Sequence, residues 1–346
     1  MEEGLSPQRV LRLSQDRRRS HGEELADDSN IQATNDDAAV CKGYAVHLGY
    51  WKDPYVNSFV RLTPECKKPP EINRGYWARV TALKMLVHQF LDKAGPNAQI
   101  LSVGAGYDTL FWRLFDEGIP FASFTELDFP EVTAKKIHAI ERCNALKERL
   151  CLHDSQIEVV EHIDLYSQRY RLLGCDLRSV KSLKAKLTAG PTAGRPGPLS
   201  PEAPTLLLCE CVLIYMSEQQ SSTLLTFLAS YFPDSCFVNY EQANIDDKFG
   251  HVMQDNLYSR GVCLAGADVC RSLETQKQRF LNAGYSDVNV WTMSDVYRKL
   301  PIAERKRIEN LEFLDEVELL YQLLDHYCIC VAVKDKRKLG FQTIGF

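Results

Sequence analysis

Long apolar runs are absent from this sequence. No stretch of the 346 residues approaches the roughly 20 residues that a membrane-crossing helix needs, and the N-terminus lacks the apolar core of a secretory signal. A positive surplus is absent too. Lysine and arginine number 41 against 46 aspartates and glutamates, a net charge of −5, which argues against a protein that coats nucleic acid or a membrane surface. Arg17-Arg18-Arg19 is the one compact basic run and reads as solvated tail. No internal repeat is found, which removes solenoids and an appended propeller. Cysteine, by contrast, is plentiful at twelve. Many cysteines sit inside apolar runs such as 208–212 and 327–331, so they read as small reduced core residues of a soluble, cytoplasmic protein rather than as disulfides, zinc ligands or redox groups. Strand alternation would put Cys209 and Cys211 on one face and Glu210 on the other. The length suits one large α/β domain with additions, or two modest ones.

A third glycine is missing from the segment that organises the rest, Gln99 to Thr109. Ile100 to Val103 is a short apolar run that stops at Gly104-Ala-Gly106, and helix-compatible spacing resumes from Thr109 to Phe115. Strand, glycine turn and helix make the ligand corner of a doubly wound sheet, where missing Cβ atoms let a ligand approach the backbone. A dinucleotide fingerprint wants glycine where Thr109 stands. Asp108, at the mouth of the helix, would repel a pyrophosphate. A cofactor with positive charge fits better, and S-adenosylmethionine, with its sulfonium and ammonium groups, is the candidate; the alternative is that Asp108 is an ordinary helix N-cap.

Residues 1–37 are polar and without period, and are expected to be a disordered tail. The aromatic segment that follows, with Tyr44, Tyr50, Trp51, Tyr55 and Phe59, is expected to fold over the main domain as a helical lid. A strong helix enters at Pro69-Pro70 and runs to about Lys93 along a stripe of Tyr76, Val80, Leu83, Val87 and Phe90. Arg79 lies beside that stripe and wants an anion: a carboxylate of cofactor or substrate, or an internal ion-pair partner. The second strand, 121–128, ends in Asp128, 24 residues beyond Gly104, where a carboxylate can accept from both ribose hydroxyls. Either Asp128 or Glu126 could instead cap the next helix. At the third strand end, 171–178, Asp176 and Leu177 suit an adenine, although Asp176 could also start a helix. Residues 188–204 hold five prolines and three glycines and are expected to form a mobile loop. The most apolar strand, 205–216, carries Glu210 on its terminal half, placed to meet an ammonium group or to join an internal ion pair. A fifth strand spans 236–242. Strands at 287–293 and 327–333, separated by an acidic helix over 308–320, close a seven-stranded, Rossmann-like sheet whose last pair resembles an antiparallel hairpin.

Together, Lys42, residues 70–79, Val103 to Thr109, Glu126 to Pro130, Asp176-Leu177, Glu210 to Met216, Asn239 to Gln242 and Leu311 to Glu316 closely resemble the leucine carboxyl methyltransferases over about residues 38–346. The resemblance implies a class I methyltransferase domain. It implies methyl transfer from S-adenosylmethionine to the C-terminal leucine α-carboxylate of the protein phosphatase 2A catalytic subunit, which favours holoenzyme assembly. It also implies a cofactor set of Lys42, Arg79, Gly104, Asp128, Asp176, Leu177 and Glu210. Arg79, Tyr215 and Tyr240, by their strand-end positions, are expected to shape the cleft for the substrate carboxylate. An α-carboxyl with pKa near ~3.5 is already ionised, so no general base is expected. No metal, nucleic acid or membrane partner is expected, and a monomer is. Competing readings are a transfer-RNA wybutosine-pathway methyltransferase, whose added C-terminal repeats are absent here, a nicotinamide oxidoreductase, and a non-catalytic tail-binding protein.

Overall fold

The computed structural model describes residues 28–151, 156–192 and 197–346. The apolar run 100–103 becomes β1 (Gln99–Val103) at the centre of the sheet. The remaining strands are β2 (Ser123–Asp128), β3 (Glu158–Val160), β4 (Asp164–Tyr166), β5 (Tyr170–Gly174), β6 (Thr205–Glu210), β7 (Asp234–Gln242), β8 (Asp287–Thr292) and β9 (Tyr327–Asp335). They stand in the order β3-β4-β5-β2-β1-β6-β7-β9-β8. The run from β5 to β7 is parallel, and β9 lies antiparallel between β7 and β8.

Among the described residues the sheet therefore has nine strands, where seven were expected. β3 and β4 are the addition, an antiparallel extension beyond β5. At three residues each they are too short for alternation to register in the sequence. β8 and β9 pair as expected, but three helices intervene where a hairpin turn would stand.

Helices cover both faces. On one lie α1 (Asp28–His47), α2 (Pro70–Ala94), α3 (Leu110–Asp116), α4 (Pro130–Arg142) and α5 (Asn144–Leu150). The other face is covered by α6 (Val180–Thr188), α7 (Glu218–Tyr231) and α9 (Leu273–Asn282), while α8 (Lys248–Tyr258) follows β7. α10 (Met293–Lys299), α11 (Ile302–Glu309) and α12 (Val317–Asp325) return to the first layer. α2 begins with Pro70 at its first position and stops at Gly95, φ +72°, a residue that takes the left-handed conformation without a Cβ clash. Its Trp77, Leu83, Val87 and Phe90 are buried, each large apolar side chain contributing about 1.5–3 kcal/mol.

Period-two alternation decides which strand residues meet which layer. Leu206 and Leu208 of β6 pack into the α2 layer, while Leu207 and Cys209 face the α6–α7 layer. Glu210 therefore emerges on the α2 side. Three expectations need correction. β6 ends at Glu210 rather than running to 216, because Cys211 takes φ +56°; alternation lapses there, and Cys211 joins the α2 layer, away from Cys209. α1 begins at Asp28, inside the segment expected to be tail; the rest of that segment, 1–27, lies outside the described residues. No single helix spans 308–320. Residues 310–316 form a connection, pinned by Arg74 donating to the carbonyls of Glu309 and Glu312 at 3.3 and 2.8 Å, with the Glu312 carboxylate accepting from Tyr50 and Asn73 at 2.9 and 2.8 Å.

Candidate active site

The carboxyl ends of β1, β2, β6 and β7 open into two adjoining cavities. The larger, about 410 Å³, is bounded by Lys42, Arg79, Gly104, Asp108, Glu210 and Tyr240 among others. The smaller, about 70 Å³, is bounded by Asp128, Asp176, Leu177 and Arg178. Gly104, Glu210 and Tyr215 belong to both.

Gly104 sits at φ +71°, and a Cβ there would meet Val212 Cγ2 at 2.2 Å. Gly106, φ +51°, would bring a Cβ to within 2.7 Å of Asn35 Oδ1. The glycines thus admit the chain after β6 on one side and α1 on the other. The helix over the glycine corner is α1, and the residue that meets it, Asn35, comes from the segment expected to be tail rather than from the aromatic segment expected to form the lid.

Arg79 and Glu210, read separately in the sequence as grips for a carboxylate and an ammonium, face each other. Arg79 Nε donates to Glu210 Oε2 over 2.6 Å, and both are largely buried. The guanidinium lies 4.4 Å from the centroid of the Tyr240 ring and 5.7 Å from that of Tyr76, a cation–π contact that holds its plane. Lys42 Nζ is 2.6 Å from Asp108 Oδ2 and 3.9 Å from Glu210 Oε2. Two cations and two carboxylates alternate across this end of the cavity.

Asp108 also accepts from the Leu110 N–H at 2.6 Å and lies 3.7 Å from Arg113. It is both an N-terminal turn former and an ion-pair member. Burial opposes its ionisation, but the Lys42 and Arg113 cations outweigh burial and hold its carboxyl far below the usual range. Its charge is compensated, so the repulsion of phosphate argued from sequence is weaker than the bare residue suggested.

Asp128 Oδ2 accepts from the Gly106 N–H at 2.7 Å and Oδ1 from the Phe129 N–H at 2.8 Å. Burial pushes its carboxyl up to about 6. Lone pairs remain for further donors. Glu126 points elsewhere, into the core, where it accepts from Lys136 and Tyr170. The Asp176 carboxylate is gripped by Arg178, and the following helix is capped by Ser179 rather than by Asp176. Tyr215 stands on a short turn, Leu213–Tyr215, beyond the strand. Burial raises the hydroxyls of Tyr215 and Tyr240 well above the usual tyrosine range, keeping both as neutral donors. The Cys211 thiol is likewise pushed up, to about 12, by burial.

Two contributors escaped the sequence reading. Glu241, buried beside Tyr240, accepts from the Ile214 N–H at 3.1 Å and so holds the turn that carries Tyr215. Asn35, on α1, closes over Gly106. An acidic residue on the inward face of an apolar strand was the available signal for the first; nothing in the sequence marked the second.

Seven of the twelve cysteines are buried, and those seven are thiols outside any disulfide. Among the described residues no cluster of histidine, cysteine and acidic side chains is arranged for a metal, and no helix is long and apolar enough to cross a membrane.

Residues 30–229 match the family model described as leucine carboxyl methyltransferase. Leucine carboxyl methyltransferase 1 of Bos taurus is 44% identical over 321 residues, 92% of this chain and 94% of that protein. The Caenorhabditis elegans protein of the same name is 41% identical over 323 residues, covering 91% and 94%. The tRNA wybutosine-synthesizing protein 4 of Homo sapiens is 35% identical over 313 residues, 87% of this chain but 44% of that protein. Among solved structures, a putative methyltransferase from Thermobifida fusca YX shares the fold at 13% identity, with a TM-score of 0.50 over 86% of this chain and 94% of that one.

Proposed function

The chain belongs to the leucine carboxyl methyltransferases, and from that premise we propose that it methylates the α-carboxylate of the C-terminal leucine of the protein phosphatase 2A catalytic subunit, using S-adenosylmethionine. The observation that carries the reading is the Arg79–Glu210 pair, 2.6 Å long, at the end of a central strand. An α-amino acid is a carboxylate and an ammonium joined by one carbon, and this site offers one partner for each.

The rest of the lining fits the donor in the same manner. Asp128 offers lone pairs for ribose hydroxyls, while Asp176 and Leu177 stand at the far end of the smaller cavity, where a purine has an acceptor and an apolar wall. Lys42 keeps Asp108 occupied and adds a cation beside Glu210. Bound there, S-adenosylmethionine supplies a methyl group on a sulfonium that a carboxylate oxygen can take up.

What the protein contributes is placement. The substrate carboxylate arrives ionised, so no side chain has to remove a proton. Tyr215 and Tyr240, neutral hydroxyl donors at the cavity wall, can hold it, and Arg79 stacked on Tyr240 gives that end a positive potential. Orientation and exclusion of water then carry the rate, the second because two opposite charges cancel as the ester forms. Modification of this tail would bias which regulatory subunits the phosphatase binds. The same reading places the enzyme in the cytoplasm as a monomer, without nucleic acid or membrane partners.

The test is transfer of labelled methyl from S-adenosylmethionine to purified phosphatase catalytic subunit, intact or lacking its terminal leucine. Base-labile label on the intact subunit alone is the expected result. Label on both, or on neither, overturns the proposal.

A further inference from the structure

Arg178 joins two parts of the molecule that are far apart in sequence. Its Nη1 and Nη2 donate to Asp28 Oδ1 and Oδ2 at 2.8 and 2.7 Å, a fork on the first residue of α1. Its Nε donates to Asp176 Oδ1 and Oδ2 at 2.9 and 3.1 Å, Nη2 to Oδ2 at 2.9 Å, and its own N–H to Oδ1 at 2.9 Å. The guanidinium also lies over the Phe129 ring, 5.4 Å from its centroid. One rigid, planar cation therefore serves two carboxylates.

What it joins is the floor and the roof of the smaller cavity. Asp176, Leu177 and Phe129 are on one side; Ile31, Gln32, Thr34 and Asn35 of α1 are on the other. Apolar burial does not hold the roof. The buried residues of α1 are Ala39, Cys41, Gly43 and Ala45, all in its second half. Its first turns rest on polar contacts, among them Asp28 with Arg178, Asn30 with the Gly261 carbonyl, Gln32 with Glu131, Thr34 with Tyr215 and Asp37 with Arg260. A helical segment without buried apolar anchors opens at low free-energy cost. Among those contacts only the Arg178 fork also touches Asp176 on the cavity floor.

We propose that Arg178 is a positioning residue for the methyl donor: it fixes the Asp176 carboxylate at the purine end of the site and pins the first turn of α1 across it, so that donor and demethylated product leave when the Asp28–Arg178 contact breaks. The proposal rests on the reading of the site as an S-adenosylmethionine pocket. The charge state of Asp176 supports the division of labour. Burial alone would raise the Asp176 carboxyl, and the Arg178 guanidinium and N–H overcome it and hold the group below its ordinary range. Asp176 thus stays ionised, and Arg178 engages both of its oxygens, which restricts where a second donor can approach.

The experiment measures dissociation of S-adenosylmethionine and S-adenosylhomocysteine from the full-length protein by stopped flow, with steady-state KM and kcat, in wild type, Arg178→Ala, Arg178→Lys and Asp28→Asn. Arg178→Ala should speed dissociation of both ligands about tenfold, with the loss falling on KM for the donor rather than on kcat. Asp28→Asn should produce part of that change without disturbing Asp176, and adding it to Arg178→Ala should change nothing further, since the contact is already gone. Arg178→Lys should recover only part, because an ammonium cannot form the fork. Hydrogen exchange across 28–38 should be slowed by the donor in wild type and not in Arg178→Ala. Unchanged dissociation in both Asp28→Asn and Arg178→Ala, or additive effects, overturns the proposal. If Arg178→Ala does not fold, Asp28→Asn decides alone. Failure of the wild-type protein to bind the donor overturns the pocket reading instead.

Discussion

Arg79 Nε and Glu210 Oε2 stand 2.6 Å apart, one from the middle of α2 and the other from the last position of β6. Each satisfies the other in the free protein. The methionine end of the donor carries the same two charges in reverse, so on the proposed reading its binding would replace one internal ion pair with two external ones, and each buried charge would keep a partner. Arg79→Ala should reduce methyl transfer on the order of 100-fold or more and lower stability by about 1–3 kcal/mol, because Glu210 loses its direct donor. The double exchange Arg79→Glu with Glu210→Arg should be more stable than either single variant while failing to restore transfer. Thermal unfolding and labelled-methyl assays on the four proteins check both parts.

Asp128 should give the proposed donor site a pH dependence. Burial pushes its carboxyl up to about 6, and hydroxyl donors favour the ionised form. Binding therefore draws a proton off Asp128, and affinity for S-adenosylmethionine should fall as pH drops through about 6. Calorimetric titration at several pH values checks this; Asp128→Asn should bind more weakly throughout and lose the dependence.

Glu241 should give stability a pH dependence. Burial raises its carboxyl from an ordinary 4.5 to about 7, against the opposing pull of Arg279 and two N–H donors. The folded state then holds a proton that the unfolded state releases between those values. The associated stability is fully present below about 4.5 and is lost as pH rises through about 7, up to about 3 kcal/mol. Glu241→Gln should flatten that part of the stability curve, measured by denaturant unfolding at pH 5, 6, 7 and 8.

Gly104→Ala places a Cβ 2.2 Å from Val212 Cγ2 at φ +71°. Relief requires rotation of the Val212 side chain or movement of the chain after β6, which carries Cys211 and the turn to Tyr215. A stability loss of about 1–3 kcal/mol and a larger fractional loss of donor affinity are expected. Gly118→Ala, at φ +68° with nothing within 4 Å of the added Cβ, separates backbone strain from steric contact.

Much of this arrangement could be read from residue order. Gly104-Ala-Gly106 after an apolar run marks a βα corner wherever it occurs, and Asp128 and Glu210 stand out as carboxylates at the ends of otherwise apolar strands. Period-two alternation, carried one step further, places Glu210 on the α2 face and so opposite Arg79. β3 and β4 could not be read because three residues do not establish a period. The end of β6 could not either, since Cys211 adopts its left-handed conformation without a glycine to announce it. The helical reading of 308–320 failed because helix-like spacing there serves a connection held by Arg74 from another element. Arg178 was invisible for the same reason: its partner Asp28 lies 150 positions away in a segment whose composition suggested disorder.

The account turns on the donor's amino-acid end taking over the Arg79–Glu210 pair. Calorimetric binding of S-adenosylmethionine, S-adenosylhomocysteine, decarboxylated S-adenosylmethionine and methylthioadenosine to the wild-type protein tests this directly. The first two, which keep both the carboxylate and the ammonium, should bind well, and the two that lack one or both should bind on the order of 100-fold more weakly. Equal affinity for methylthioadenosine and S-adenosylmethionine would contradict it.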